Sequence, residues 1–266
     1  MNLGLWVGLI SAIGLAVWAI FSTGASGALL NVHGVVIVVG GTTAATLINC
    51  PLETVRSAFS NFFSLLGGSN FPTTDDAIGD VVELAREAHA GGGILTLRDA
   101  GGDLADGFGH RVITAAIATG ETNQTRRIME TEIKQSRIIR MEDTNVFRTI
   151  STLSPMFGIL GTLLGMIEVL GALQDPTKVG PAMALALSSA FLGIAIANFV
   201  CVPIAGRIRA AAMRETLVLE VILEGILDIS AGQAPYLVEL RLAAYSAQRR
   251  AELEAAEGGA APARAQ

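Results

Sequence analysis

Apolar residues gather in four long runs, roughly 3–22, 33–50, 149–173 and 180–206, separated by segments that mix polar and apolar positions. Each run is about 18 to 27 residues, enough to cross a hydrocarbon core of about 30 Å at about 1.5 Å per residue. Between the second and third runs the spacing is helical. One helix is predicted to open at Thr74-Asp75, to continue through Val81, Val82, Leu84, Ala85 and Ala88, and to stop at Gly91-Gly92-Gly93. A second is predicted from Leu104 to Ala118, ending at Gly120. From about Thr125 to Arg148 a mixed-charge pattern meets the third run with no breaker, which predicts one long helix through both. Ala210 to Ile229 continues the fourth run in the same way. The expected fold is all-α: a polytopic membrane protein with four transmembrane helices and a helical cytoplasmic domain, spans three and four extending into the cytoplasm. The expected divisions are a hairpin of spans one and two (1–50), a cytoplasmic helical loop (51–148), a hairpin of spans three and four (149–206), a helical extension (207–245) and a disordered tail (246–266).

Composition agrees. Hydrophobic residues make up 51% of the chain and charged residues only 16%, with a mean hydropathy of +0.54, a membrane-protein profile. The net charge of −6 argues against a nucleic-acid partner, which needs a basic face. The basic residues set the orientation. Of 18 Lys and Arg, ten lie in 51–148 and seven after residue 206; 23–32 has none and 174–179 has only Lys178. The positive-inside rule therefore puts the large loop and the C-terminus in the cytoplasm. Four crossings then place the N-terminus there too. Met1-Asn2-Leu3-Gly4 lacks the basic residues of a cleaved signal, so the first span is expected to be retained. Trp6 and Trp18 suit interface positions in that span. Cys50 and Cys201 are expected to be reduced thiols, and no metal site is expected because no ligand spacing exists.

The candidate chemistry lies in the third and fourth runs. Pro155 frees a helical carbonyl, which in lipid needs a protein or water partner. For the hydroxyls of Thr162, Ser188 and Ser189 two readings are open: they line a narrow wet path, or they bond back to their own helices and glue helices together. The runs contain one carboxylate, Glu168, near the outer end of the third. It either gathers cations at an outer mouth or simply sits at a subunit or water interface. With no acid at mid-membrane, a proton carrier there has to come from another chain. No nucleophile–base set or metal cluster points to an enzyme. Gly40-Gly41-Thr42-Thr43 is not a phosphate loop, because no Lys follows it.

Several stretches resemble the A subunit of the bacterial flagellar stator, the MotA/PomA family, within the MotA/TolQ/ExbB proton channel superfamily. They are Pro155 through Gly165, Asp175-Pro176 with Gly180-Pro181-Ala182-Met183-Ala184, Ala197-Asn198 through Pro203-Ile204-Ala205, and Glu224-Gly225-Ile226-Leu227 with Gly232-Gln233-Ala234-Pro235. The resemblance implies a homopentamer in the inner membrane around two copies of a MotB/PomB-like single-span subunit. That subunit would carry a membrane aspartate to the level of Thr162 and anchor in peptidoglycan. Ion flow would drive rotation against the rotor protein FliG. Pro155 and Pro203 match the family's two functional prolines, and Thr162 its ion-path threonine. Two departures matter. Sodium-driven members carry two adjacent threonines where this chain has Ser189-Ala190, and the missing hydroxyl at Ala190 favours H⁺ over Na⁺. The rotor-contact loop reads Arg86-Glu87-Ala88-His89-Ala90-Gly91-Gly92-Gly93, then Arg98-Asp99: its basic position is Ala90 or His89, its first acid is Arg98, and only Asp99 matches cleanly. Two further readings are a related motor that drives another load, such as gliding or defence machinery, and a passive membrane scaffold.

Overall fold

The computed structural model describes residues 32–67 and 71–246, together with Gly8, Ser11 and Gly14. The first expected span and the tail beyond residue 246 otherwise lie outside the described residues. Among the described residues the chain is helical and has no strand.

Among the described residues three helices are long and apolar enough to cross a membrane: Val32–Asn49 (α1), Thr122–Gly171 (α5) and the run Thr177–Ser230. The last consists of α6 (Pro176–Ala195), a wide π turn at Ile196–Cys201, and α7 (Val202–Ser230). The π turn has a local cause. Pro203 has no N–H and its ring crowds the carbonyl one turn back. Just before it, the Val202 N–H reaches past Asn198 to the Ala197 carbonyl, a five-residue bond. The remaining elements are α2 (Leu52–Gly67), α3 (Thr74–Gly91), a 3₁₀ turn (Ile94–Leu97), α4 (Phe108–Thr119), α8 (Pro235–Leu242) and a second 3₁₀ turn (Ala243–Tyr245).

The contacts divide the chain into two units, Met1–Ser69 with Ile139–Ala210 and Asn70–Ile138 with Ala211–Gln266. In the first, α2 lays Ala58, with Val55 and Phe62, against Val146 and Phe147 of α5 and Ile204, Ala205 and Ile208 of α7. The second has its own core of Ala77, Ile78, Val81, Val82 and Ala85 from α3, Phe108, Val112 and Ile113 from α4, and Val221, Ile222, Ile226 and Leu227 from α7. Gly225 is the close-approach point there, because a Cβ would collide with Val81.

Two expected boundaries differ from the structure. The helix expected to be capped by Thr74 or Asp75 begins at Thr74 and is capped by Thr73: Thr73 accepts from the Asp76 N–H while Asp76 accepts from the Thr73 N–H, a reciprocal box. The helix expected from Leu104 begins at Phe108. Leu104 and Ala105 are buried, but Ala105, Asp106 and Gly107 all have positive φ (49°, 55° and 77°), which a right-handed helix does not tolerate. As expected, α5 has no break between its charged half and its apolar half, even at Pro155.

Candidate functional site: a glycine-notched helix pair

The α5 and α6 helices meet along small residues. Asp175 caps the start of α6 by accepting from the Thr177 N–H, with Pro176 at the first helical position. On α5, Gly158, Gly161 and Gly165 share one buried face. A Cβ at Gly158 would stand 2.9 Å from the Ser189 carbonyl oxygen, at Gly161 2.5 Å from Ser189 Cβ, and at Gly165 2.8 Å from the Ala182 carbonyl oxygen. On α6, a Cβ at Gly193 would stand 2.5 Å from the Ser154 carbonyl oxygen and 3.2 Å from Pro155 Cα. Only glycine leaves room for backbones this close, the usual device where lipid offers no hydrophobic drive between helices. The third helix seats itself the same way: Gly34 of α1 faces Ser189 Oγ and Ser188 Oγ, and Gly41 lies against the Phe157 ring.

This packing fixes the candidate hydroxyls. Ser188 and Ser189 are buried, and both donate to the Leu185 carbonyl, at 3.1 and 2.8 Å. Thr162 donates to the Ile159 carbonyl at 2.6 Å and is half-buried, like Ala190. Gly158 and Gly161 of α5 both lie against Ser189. Within one chain these hydrogen bonds match the helix-packing reading of Ser188 and Ser189, and Thr162 is the more open of the three. Pro155 lies inside α5 and Pro203 in the first turn of α7. Glu168 is exposed, one turn before the end of α5. Cys50 and Cys201 are free thiols.

The rotor-contact candidates lie in the second unit. Arg86 and His89 are exposed on α3, and Arg98 and Asp99 are exposed just after the 3₁₀ turn. Arg86 shares an open groove with Asp75, Asp76, Asp80, Glu83 and Glu87, a run of acids that the sequence reading passed over, although its four-residue spacing shows it. Partial burial, reinforced by Asp76 and Glu83, pushes the Asp80 carboxyl above the usual range.

A second charged group was also missed. Arg126 of α5 holds Glu224 of α7 with both terminal guanidinium nitrogens, Nη1 and Nη2, and Arg241 of α8 holds Asp228 at 2.5 Å. The hydrogen bond from Arg126 holds the Glu224 carboxyl below its ordinary value, whereas burial pushes that of Asp228 up. Among the described residues no cluster suited to a metal ion occurs.

Comparison with known proteins agrees with this arrangement. Residues 104–221 match the profile of the MotA/TolQ/ExbB proton channel family. Motility protein A of Aquifex aeolicus is 30% identical over 245 residues, which are 90% of this chain and 94% of that protein. Chemotaxis protein PomA of Vibrio alginolyticus is 28% identical over 260 residues, 96% of this chain and 99% of that one. The flagellar MotAB stator complex of Bacillus subtilis superposes with a TM-score of 0.84 at 25% identity, covering 94% of this chain and 98% of that chain. The C. jejuni MotAB structure shares the fold, with a TM-score of 0.83 at 20% identity over 92% of this chain and 96% of that one. This multi-pass membrane chain belongs to the MotA/TolQ/ExbB proton channel family, among the motility protein A stator subunits of the flagellar motor.

Proposed function

We propose that five copies of the chain surround two single-span, MotB-like subunits in the bacterial inner membrane, with N- and C-termini in the cytoplasm, and that proton passage turns this ring against FliG. The carrying observation is the missing mid-membrane acid. The apolar runs hold no carboxylate but Glu168, near the outer end of α5, so a titratable carrier at the level of Thr162 has to arrive on another chain. The partner is supported by the likeness to the Bacillus subtilis complex, whose title names it MotAB. The outward apolar faces support assembly: Ile159, Leu160, Leu163, Ile167 and Leu170 are exposed along α5 and need lipid or neighbouring subunits to cover them.

The proton is favoured over sodium because hard cations want several oxygen ligands. Ala190 offers none, and the hydroxyls of Thr162 and Ser189 alone replace little of a Na⁺ hydration shell. In this reading Thr162 lines the ion path, Pro155 and Pro203 couple ion passage to helix movement, and Glu168 lies at the outer mouth. The test is co-expression with the single-span partner while sodium is varied at constant pH and ionic strength. Motility that collapses with a protonophore and ignores sodium is expected; motility that tracks sodium overturns the ion assignment.

One observation favours a second reading, a related motor with another load: the exposed base Arg98 stands where the flagellar pattern carries an acid. Charge reversal at Arg86 and Arg98 decides between the two. Altered torque, rescued by the matching reversal on the rotor, is the flagellar outcome. No effect at either position points to another rotor surface or to another load.

A further inference from the structure

Most hydroxyls in the α1, α5 and α6 packing follow a rule, and among the buried ones two depart from it. Thr46, Ser151, Thr152, Thr162, Ser188 and Ser189 all donate to a carbonyl three or four residues back on their own helix. This is how a hydroxyl without a better partner satisfies itself in lipid. Thr42 Oγ1 and Ser154 Oγ do not. Both side chains are more than nine-tenths buried, and neither oxygen has a protein hydrogen-bond partner. A buried, unmade hydrogen bond costs about 1–3 kcal/mol, and helical Ser and Thr ordinarily avoid it by a back-bond of the kind their neighbours make.

The two hydroxyls share one interior. Thr42 continues the buried face of α1 through Gly34, Val38 and Thr46, and Gly34 faces Ser189. Ser154 continues the α5 face of Gly158 and Gly161, and Gly161 faces Ser189 as well. They also share a height. Gly41 lies against Phe157, and Asn49 hydrogen bonds to Thr149 at 3.4 Å. Both pairs keep one antiparallel register, which sets Thr42 opposite Met156, two residues from Ser154 and so about 3 Å along the axis. That is also the height of Pro155, whose missing N–H deprives the Ser151 carbonyl of its donor. Ser154 stands three residues after Ser151, about 4.5 Å along the axis, so a water held at its hydroxyl is in reach of the freed carbonyl.

We propose that Thr42 and Ser154 hold an ordered water molecule inside each subunit at the level of Pro155. The Ser151 carbonyl is the third partner and receives from the water the hydrogen bond that Pro155 cannot supply. Three partners are the usual complement of a buried water. The site stands independently of the coupling ion. It makes the proline turn of α5 a wetted joint, in which the bond replacing the missing one can exchange and re-form as the helix bends.

The test is a density map of the full chain in lipid nanodiscs at a resolution that shows waters. Density within hydrogen-bonding distance of both oxygens is expected. Hydroxyls turned back onto the Val38 and Ile150 carbonyls, with no density between them, overturn the proposal. Thermal midpoints of Thr42→Val, Ser154→Ala and the double variant give an independent reading. One shared water predicts a loss of about 3 °C for each single variant and about the same for the double. Additive losses overturn the sharing. Thr42→Ser keeps the hydroxyl and is expected to keep the density. If a hydroxyl-free variant does not fold, the map of the native chain and of Thr42→Ser decides.

Discussion

The side-chain amide of Asn61 in α2 donates to the carboxylate of Asp143 in α5. Asp143 is only 1% exposed, so this bond fastens α2 to the helix that carries Pro155. Asn61 Nδ2 also lies 3.4 Å from Ser57 Oγ, one turn earlier on α2. Asn61→Leu removes the donor and leaves a buried carboxylate short of a partner. A loss of about 2 kcal/mol is expected, read as a lower thermal midpoint in nanodiscs. Asn61→Leu combined with Asp143→Leu is expected to recover much of that loss, because replacing both partners by apolar groups leaves no buried charge.

Acid stability is expected to depend on Glu224. Arg126 depresses its carboxyl below the ordinary value of 4.5. The stability it contributes is therefore complete above that value and is lost as pH falls below it toward the folded-state value. Asp228 acts in the opposite sense. Its raised folded-state pKa favours the protonated form, so it costs stability as pH rises above the ordinary 3.8. Glu224→Gln is expected to destabilise the chain by about 2 kcal/mol at neutral pH and to flatten the fall on the acid side of 4.5, measured by a thermal series across pH. A fall as steep as in the native chain would remove Glu224 from the acid limb.

The notches predict a sharp contrast between glycines. Gly161→Val places branched carbons where even a Cβ is 2.5 Å from Ser189 Cβ. Separating α5 from α6 is expected to cost about 3 kcal/mol and to lower the yield of assembled complex. Gly171→Ala, at the end of α5 where a Cβ meets nothing within 4 Å, is expected to be silent. The measurement is the amount and melting temperature of the extracted complex.

Thr162→Val is isosteric and removes only the hydroxyl that donates to Ile159. Assembly is expected to be retained while proton uptake with the co-expressed partner falls at least about tenfold, the equivalent of about 1.4 kcal/mol on the limiting barrier. Unchanged uptake leaves Thr162 a helix-internal hydroxyl like Ser188.

Much of this was legible in the sequence because the bilayer writes a strong signal. The second to fourth runs are helices long and apolar enough to span, and the continuity of α5 could be read from the absence of any breaker between Thr125 and Pro155. The helix α2 was missed. After Pro51, its Phe, Ser and Asn residues form an amphipathic face only when Val146, Phe147 and Ile204 are present to receive Ala58. The turn before α4 was misread because Leu104 and Ala105 are buried, like helical residues, but in a left-handed backbone. Thr73 and Asp76 did show the spacing of a capping box, and the adjacent Thr74 drew the boundary one residue too far. The candidate site divides in the same way. Prolines, hydroxyls and the missing acid are visible in one dimension. That Gly158 and Gly161 lie against Ser189 depends on helix rotation, which no local pattern encodes. The Arg126–Glu224 pair spans 98 positions and exists only once α5 and α7 have folded.

The fit of Gly158, Gly161, Gly165 and Gly193 also limits how the hairpin can move. Backbones locked at four successive notches have no sliding mode, since a shift of one residue would drive a side chain into a carbonyl. A displacement of α6 is thus shared by α5 along the whole contact. The hairpin answers a push as a single stiff strut, and whatever bending the motor needs has to be found at its ends and at its prolines.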